Sequence, residues 1–237
     1  LGVAAGTVAL AVALGAPAAL LLGWTALPAR RWLRALLIAP LAVPPYIATI
    51  GWLHLLGPRG ALDSWLAEAL GREGPFMSFM SAGGVIWVLG LWLYPLVVLV
   101  LLGVLDRLDA QLVDEALLEG GWRAVLRHVA WPSAAPALGA AALAVMVLAL
   151  TDLGVASFLG VPVYTAEIML RFGAFFDVGA GVRALVPLAV LVGAGYLGLR
   201  ATTARFDQAP VQAPVEHARY APLGGWRWPA AVAIALP

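Results

Sequence analysis

Apolar residues in this chain do not alternate with polar ones. They run in long blocks separated by short polar breaks. A helix needs about 20 mostly apolar residues to cross a bilayer. Five segments meet that requirement, over 1–27, 35–56, 82–105, 134–159 and 184–199. The first carries no charge, the second is interrupted by Pro40, Pro44 and Pro45, and the fourth holds Asp152. The pattern predicts an all-α polytopic membrane protein of five spans. A cleaved leader is the weaker reading of 1–27, which lacks a basic n-region and is long enough to cross. Residues 206–227 carry Pro210, Pro214 and Pro222 with little periodicity and read as a linker. A new apolar run opens at Trp228 and reads as the start of a further span over 228–237.

Two stretches between the spans do show a helical period. In the loop over 57–81, Leu62, Trp65, Leu66 and Leu70 share one face, with Asp63, Ser64 and Glu68 elsewhere. This predicts a helix lying in the interface. The loop over 106–133 predicts a helical hairpin. Asp109 is its expected N-cap, and Gly120 and Gly121 stop the first helix. A second helix runs from Trp122 to about Ala130, and Pro132 and Pro136 allow a turn into the fourth span. Leu112, Val113, Ala116 and Leu117 form an apolar stripe on the first helix, and Glu115 and Glu119 an acidic one. Arg123 and Arg127 repeat that spacing with opposite sign. From the residues alone, a hairpin that pairs its charges and packs on its own protein is as good a reading as a docking site for a partner.

Composition narrows the class. Apolar residues make up 63% of the 237 and charged ones 11%, against about half and about a quarter in a soluble domain. A soluble globule of this size could not hide that surface, because roughly a quarter to a third of what its unfolded chain exposes stays wet. Net charge is +1 with no large basic block, which argues against nucleic acid as a partner. Ten of the fourteen arginines lie on one side of the expected topology and four on the other. The positive-inside rule then puts the loop over 106–133 in the cytoplasm and the N-terminus outside.

The hairpin loop, with Glu115, Ala116, Leu117, then Gly121, then Trp131 and Pro132, resembles the EAA loop of binding-protein-dependent ABC importer permeases. It departs from that pattern at Leu117, where the family has a second alanine, and in a shorter gap from Gly121 to Pro132. The order of spans around the loop is similar to the family's as well. The second span, APLAVPPYIATIGWLHLLGPRG, and the segment TDLGVASFLGVPVYTAEIMLRF resemble permeases of the ferric-iron group. The resemblance implies a five-helix type I ABC importer transmembrane core over 1–205 in the cell inner membrane. It implies that 106–133 is the coupling loop, seated on a cytoplasmic ABC ATPase dimer through Glu115, Ala116, Gly120, Gly121, Arg123 and Pro132. A periplasmic substrate-binding protein and a second permease half, fused or separate, are the other implied partners. Ferric iron is the leading implied substrate, although thiamine, phosphonate, polyamine and oxyanion permeases share the loop and the span count. In that group two halves are often fused, and the linker with its following apolar run is what such a junction would look like.

Candidate chemistry is otherwise thin. Cysteine is absent, so no thiolate metal site or cysteine nucleophile exists. Lysine is absent too, which rules out a P-loop and hence an ATPase site in this chain. Neither Gly-x-Ser-x-Gly nor His-Glu-x-x-His occurs. His54, His128 and His217 are scattered, and no cofactor is called for. His54 is the only internal base for an intramembrane enzyme and lacks an evident partner.

The candidate path residues are Pro44, Pro45, Tyr46 and Asp152. The prolines remove two backbone donors within a span, and the freed carbonyls need neighbours, water or a cavity. That makes either a kink lining a path, with Tyr46 beside it, or a kink that serves packing. Asp152 falls roughly 27 Å along the fourth span at 1.5 Å per residue, near the outer surface. It is either a wet boundary residue or a path residue that meets a cation. Tyr164, Glu167, Arg171 and Asp177 lie in the next outer loop, where a partner protein or solvent would meet them. The competing function is an ATP-independent ion-coupled carrier or channel that uses Asp152 and Glu167.

Overall fold

The computed structural model describes residues 1–25, 27, 29–71, 78–108, 110–203 and Pro229. Asp109, the linker over 206–227 and the further apolar run lie outside the described residues, Pro229 excepted. Every regular element among the described residues is helical. Four helices are long and apolar enough to cross a membrane, and a bent pair makes a fifth candidate span.

The core is a parallel helix pair, α1 (Gly2–Trp24) and α5 (Ala82–Leu105). Gly6 lies against Ile86, Leu10 against Gly90, Gly15 against Tyr94 and Val97, and Gly23 against Leu105. The constant offset between partners shows that the helices run side by side in the same direction. Ala4, Thr7, Ala11, Ala18, Ala19 and Leu22 make the buried stripe of α1. Lipid tails are as apolar as leucine, so small residues are what let two such helices approach. Gly15 meets the least yielding neighbours: a Cβ there would stand 2.7 Å from both the Tyr94 carbonyl oxygen and Val97 Cβ.

Because α1 and α5 are parallel, the chain between them must cross back once. It does so through a broken span. Helix α2 (Arg30–Ile38) passes into a 3₁₀ turn (Ala39–Ala42), and α3 starts afresh at Pro45 and runs to Leu56. The two arms of this pair, Arg30–Ala42 and Pro45–Leu70, are bent by 96°. The single span expected over 35–56 is therefore two helices. Pro44 holds an extended ψ of 138°, and Pro45 occupies the first position of α3, where its missing N–H is not needed.

Helix α5 serves as a ruler for depth. The indole N–H of Trp92 donates to the Val43 carbonyl at 2.8 Å, and Trp52 packs edge-on to Trp87 with centroids 5.7 Å apart. The break thus lies roughly 15 Å in from the Ala82 end of α5 at 1.5 Å per residue. From there α3 climbs obliquely. Helix α4 (Ala61–Leu70) follows. Leu62 and Leu66 are half-buried on it, but Trp65 and Leu70 are exposed and Asp63 is buried, accepting from the Arg59 N–H at 3.2 Å.

Helix α6 (Ala110–Ala124) opens the next section and is continuous with a π-helical turn (Val125–Ala130) and α7 (Trp131–Thr151). No turn occurs at Pro132 or Pro136, in contrast to the expectation. The wider π turn accommodates Pro132, whose missing N–H would interrupt an α ladder. The fourth span also ends early. It was expected over 134–159, but α7 stops at Thr151 and Asp152 turns extended, with ψ 122°. A short α8 (Gly154–Phe158) then carries the chain outward until Leu159 meets Gly84. Helix α9 (Tyr164–Gly173) leads to α10 (Val178–Thr203), a longer fifth span than the 184–199 expected. Helix α10 runs antiparallel to α7, with Leu199 against Gly139 and Gly195 against Leu143. Its apolar side chains are largely exposed.

Candidate functional site

Two places gather the candidate residues. The first is the hairpin at the arginine-rich end. Its first helix breaks where glycine permits: Gly120 leaves the helical region and Gly121 takes φ 65°, ψ −157°. That second region is essentially open only to glycine. The hairpin is seated on the ends of the central pair. Ala116, Ala124, Val125, Val129 and Ala130 are buried with Trp24 of α1 and Leu105 of α5, and Trp122 tilts against Trp24 with centroids 6.2 Å apart. Beside this seat an ion cluster ties α5 to α2. Arg34 donates to both Asp106 oxygens at 2.9 and 3.1 Å, and Arg30 approaches Asp106 at 3.6 Å.

The hairpin's outer face is formed by Glu115, Glu119, Gly120 and Arg123, all exposed. Among the described residues, no ion pair joins Glu115 or Glu119 to Arg123 or Arg127. The internal charge pairing that the sequence also allowed is not seen. Ala116 faces inward at 5% exposure, and Pro132 lies half-buried in the first turn of α7. These two hold the hairpin in place rather than present it. Sequence reasoning missed Leu118, which is 91% exposed between the two acids; Trp131, part of the loop pattern, is 62% exposed. The signal for Leu118 was available: it is a large apolar residue off the buried stripe of Val113, Ala116 and Leu117.

The second place is where two helix breaks meet. Tyr46, at the start of α3, lies against Gly154, at the start of α8: a Cβ on Gly154 would stand 3.8 Å from Tyr46 Cβ and 3.9 Å from Asp152 Oδ1. Tyr46 falls between the levels of Val43 and Trp52, so this contact lies about 8 to 15 Å in from the Ala82 end of α5. Asp152 is therefore deeper than counting along one uninterrupted span suggested, because α8 still has to climb to Leu159. Asp152 Oδ2 accepts from the Val155 N–H at 3.0 Å. Pro44 is exposed at the break, and the carbonyls there find local donors. Trp92 serves Val43, the N–H groups of Ile47 and Ala48 serve Pro44, and the Thr49 hydroxyl serves Pro45 at 2.8 Å.

The remaining candidates are used structurally. The Tyr164 hydroxyl donates to the Ala184 carbonyl at 2.8 Å, Arg171 pairs with Glu167 at 2.8 Å, and Asp177 accepts from the Ala180 N–H at 2.8 Å. His54 Nδ1 contacts the Ile50 carbonyl at 2.9 Å. Among the described residues no group of three metal-ligating side chains converges. No protein-family model matches the chain, and no characterised protein matches it.

Proposed function

We propose that this chain is the transmembrane half of an ATP-driven ABC importer, built on the five-span type I core in the inner membrane. The observation that carries the reading is the hairpin over 110–130. It is seated by buried residues on α1 and α5, yet it turns Glu115, Leu118, Glu119 and Arg123 to the outside, and among the described residues no ion pair joins Glu115 or Glu119 to Arg123. A hairpin that only closed its own protein would bury Leu118. One that transmits force needs a firm base and a free outer face, and this one has both.

Closure of two cytoplasmic ATPase subunits would push on that face. The push passes through Trp122 to Trp24 and through the buried alanines to Leu105. Asp106, next in sequence, hands it to Arg34 of α2, the lower arm of the broken span. The break at Val43–Pro45 is where that arm can swing. A substrate-binding protein outside and a second permease half complete the assembly. The likeness of the second span and of 151–172 to ferric-iron permeases supports ferric iron as the cargo.

The test is ATP-dependent uptake of ferric iron in the assembled system. Glu115→Lys combined with Gly121→Pro is expected to leave membrane levels of the protein unchanged and reduce uptake to background. Normal uptake by that variant would refute the proposal. Uptake that persists without any ATPase would favour the ion-coupled carrier instead.

A further inference from the structure

The described part of the chain interrupts two of its spanning segments, and the interruptions touch. Residues 43–45 break the second span and residues 152–153 end α7. Tyr46 and Gly154 are the first residues past each break, and their backbones approach closely: a Cβ on Gly154 would stand 3.8 Å from Tyr46 Cβ. One carboxylate stands at that contact. Asp152 uses Oδ2 to hold the Val155 N–H, while Oδ1 is directed to the Tyr46–Gly154 junction. No arginine pairs with it among the described residues. An acidic side chain at this depth is costly unless it serves a path or a partner. Irregular backbone inside a bundle is tolerated where it lines a cavity or is buried in protein.

We propose that Tyr46, Asp152 and Gly154 form the constriction of the translocation path, and that Asp152 makes it selective for cations. The reading of the chain as a permease is its premise; the addition is where the path narrows and which charge it passes. In the resting state Tyr46 against Gly154 closes the passage. When the lower arm α2 swings about the break, α3 carries Tyr46 away from α8. The passing species then meets the Asp152 carboxylate, whose negative charge raises the local concentration of cations and excludes anions. A neutral or anionic cargo would find no complementary group at this point.

The chain has no cysteine, so introduced thiols report without background, and charged thiol reagents test the site independently of ATP. Gly154→Cys is tolerated sterically, since its nearest neighbours would stand at 3.8 and 3.9 Å. The full chain in native membranes would be treated with a quaternary-ammonium methanethiosulfonate and, separately, with its sulfonate counterpart. With each rate divided by that of the same reagent on a small free thiol, the cationic reagent should react about tenfold faster or more, as expected where one sign of charge lines a cleft. Adding Asp152→Asn should bring the ratio close to one. Equal rates in the Gly154→Cys protein, no reaction with either reagent, or a ratio unmoved by Asp152→Asn would each overturn the proposal.

A second variant tests closure. Tyr46→Cys with Gly154→Cys places two Cβ atoms 3.8 Å apart, within the range disulfides require. The bond should form on mild oxidation, block the cationic reagent's passage to a cysteine placed on the far side, and release it on reduction. Failure to cross-link, or unaltered passage with the bond formed, contradicts the constriction. Loss of ATP dependence with the labelling ratio intact would instead count against the importer reading alone.

Discussion

At the residue scale, absence of a side chain matters most. Gly15 lets α1 and α5 touch backbone to side chain, and Gly121 lets the hairpin turn without strain. The two demands differ: the first is space, the second conformation. Gly15→Leu has no room beside Tyr94 and Val97 and should destabilise the pair by about 1–3 kcal/mol or more, the usual range for overpacking. Thermal unfolding of the purified protein in detergent should show a lowered Tm. Gly103→Ala in the partner helix α5 meets nothing within 4 Å, and its Tm should not fall. Equal effects of the two would show that the close approach at Gly15 is not a constraint. Charge pairs weigh less. Arg34 and Asp106 are each more than a third exposed, and such pairs are worth about 0–1 kcal/mol. Their place between hairpin and broken span gives them their interest, not their energy.

At the element scale, one side chain from a neighbour serves the backbone at the break in the second span. Trp92 satisfies the Val43 carbonyl, which the extended backbone at Val43 and Pro44 leaves without a helical partner. Trp92→Phe keeps the aromatic character and removes the donor, and the net loss of one such hydrogen bond is about 0.5–1.5 kcal/mol. A drop in Tm with helix content unchanged by circular dichroism is the expected result; an unchanged Tm would show that water or another donor takes over. The span itself was legible from its apolar residues and the trouble in it from its prolines. The bend was not, because its angle depends on where α5 offers a donor. Helix α5 was read to its ends, since Ser81 caps it and Asp106 follows the last apolar residue. The fourth span was read too long. Apolar residues continue to Leu159, but Asp152 ends the helix by capping the next one through Val155, and composition does not register a cap inside an apolar run. In the hairpin, the glycine break and the buried stripe were legible. The inward turn of Ala116 and the outward turn of Leu118 depended on what the ends of α1 and α5 left uncovered.

At the scale of the whole molecule, topology decides what the hairpin can meet. Parallel α1 and α5, the broken span between them, and antiparallel α7 and α10 place Leu118 and Phe176 at opposite ends of the bundle. Both are strongly exposed, at 91% and 82%. Leu118→Cys and Phe176→Cys, made singly, should be modified by a membrane-impermeant thiol reagent from opposite faces of sealed vesicles. Modification of both from one face would contradict the span order. The apolar face of α10 is exposed, and the ten-to-four arginine bias predicts that the hairpin lies on the inner side.

Everything functional then turns on what touches Leu118. A photo-reactive amino acid placed at that position in intact membranes, followed by identification of the covalent adduct, tests it most directly. A coupling hairpin should yield an adduct with a nucleotide-binding ATPase subunit, at a yield that changes when ATP is added. Adducts confined to lipid or to the chain's own residues, with or without ATP, would contradict an importer coupled through this hairpin.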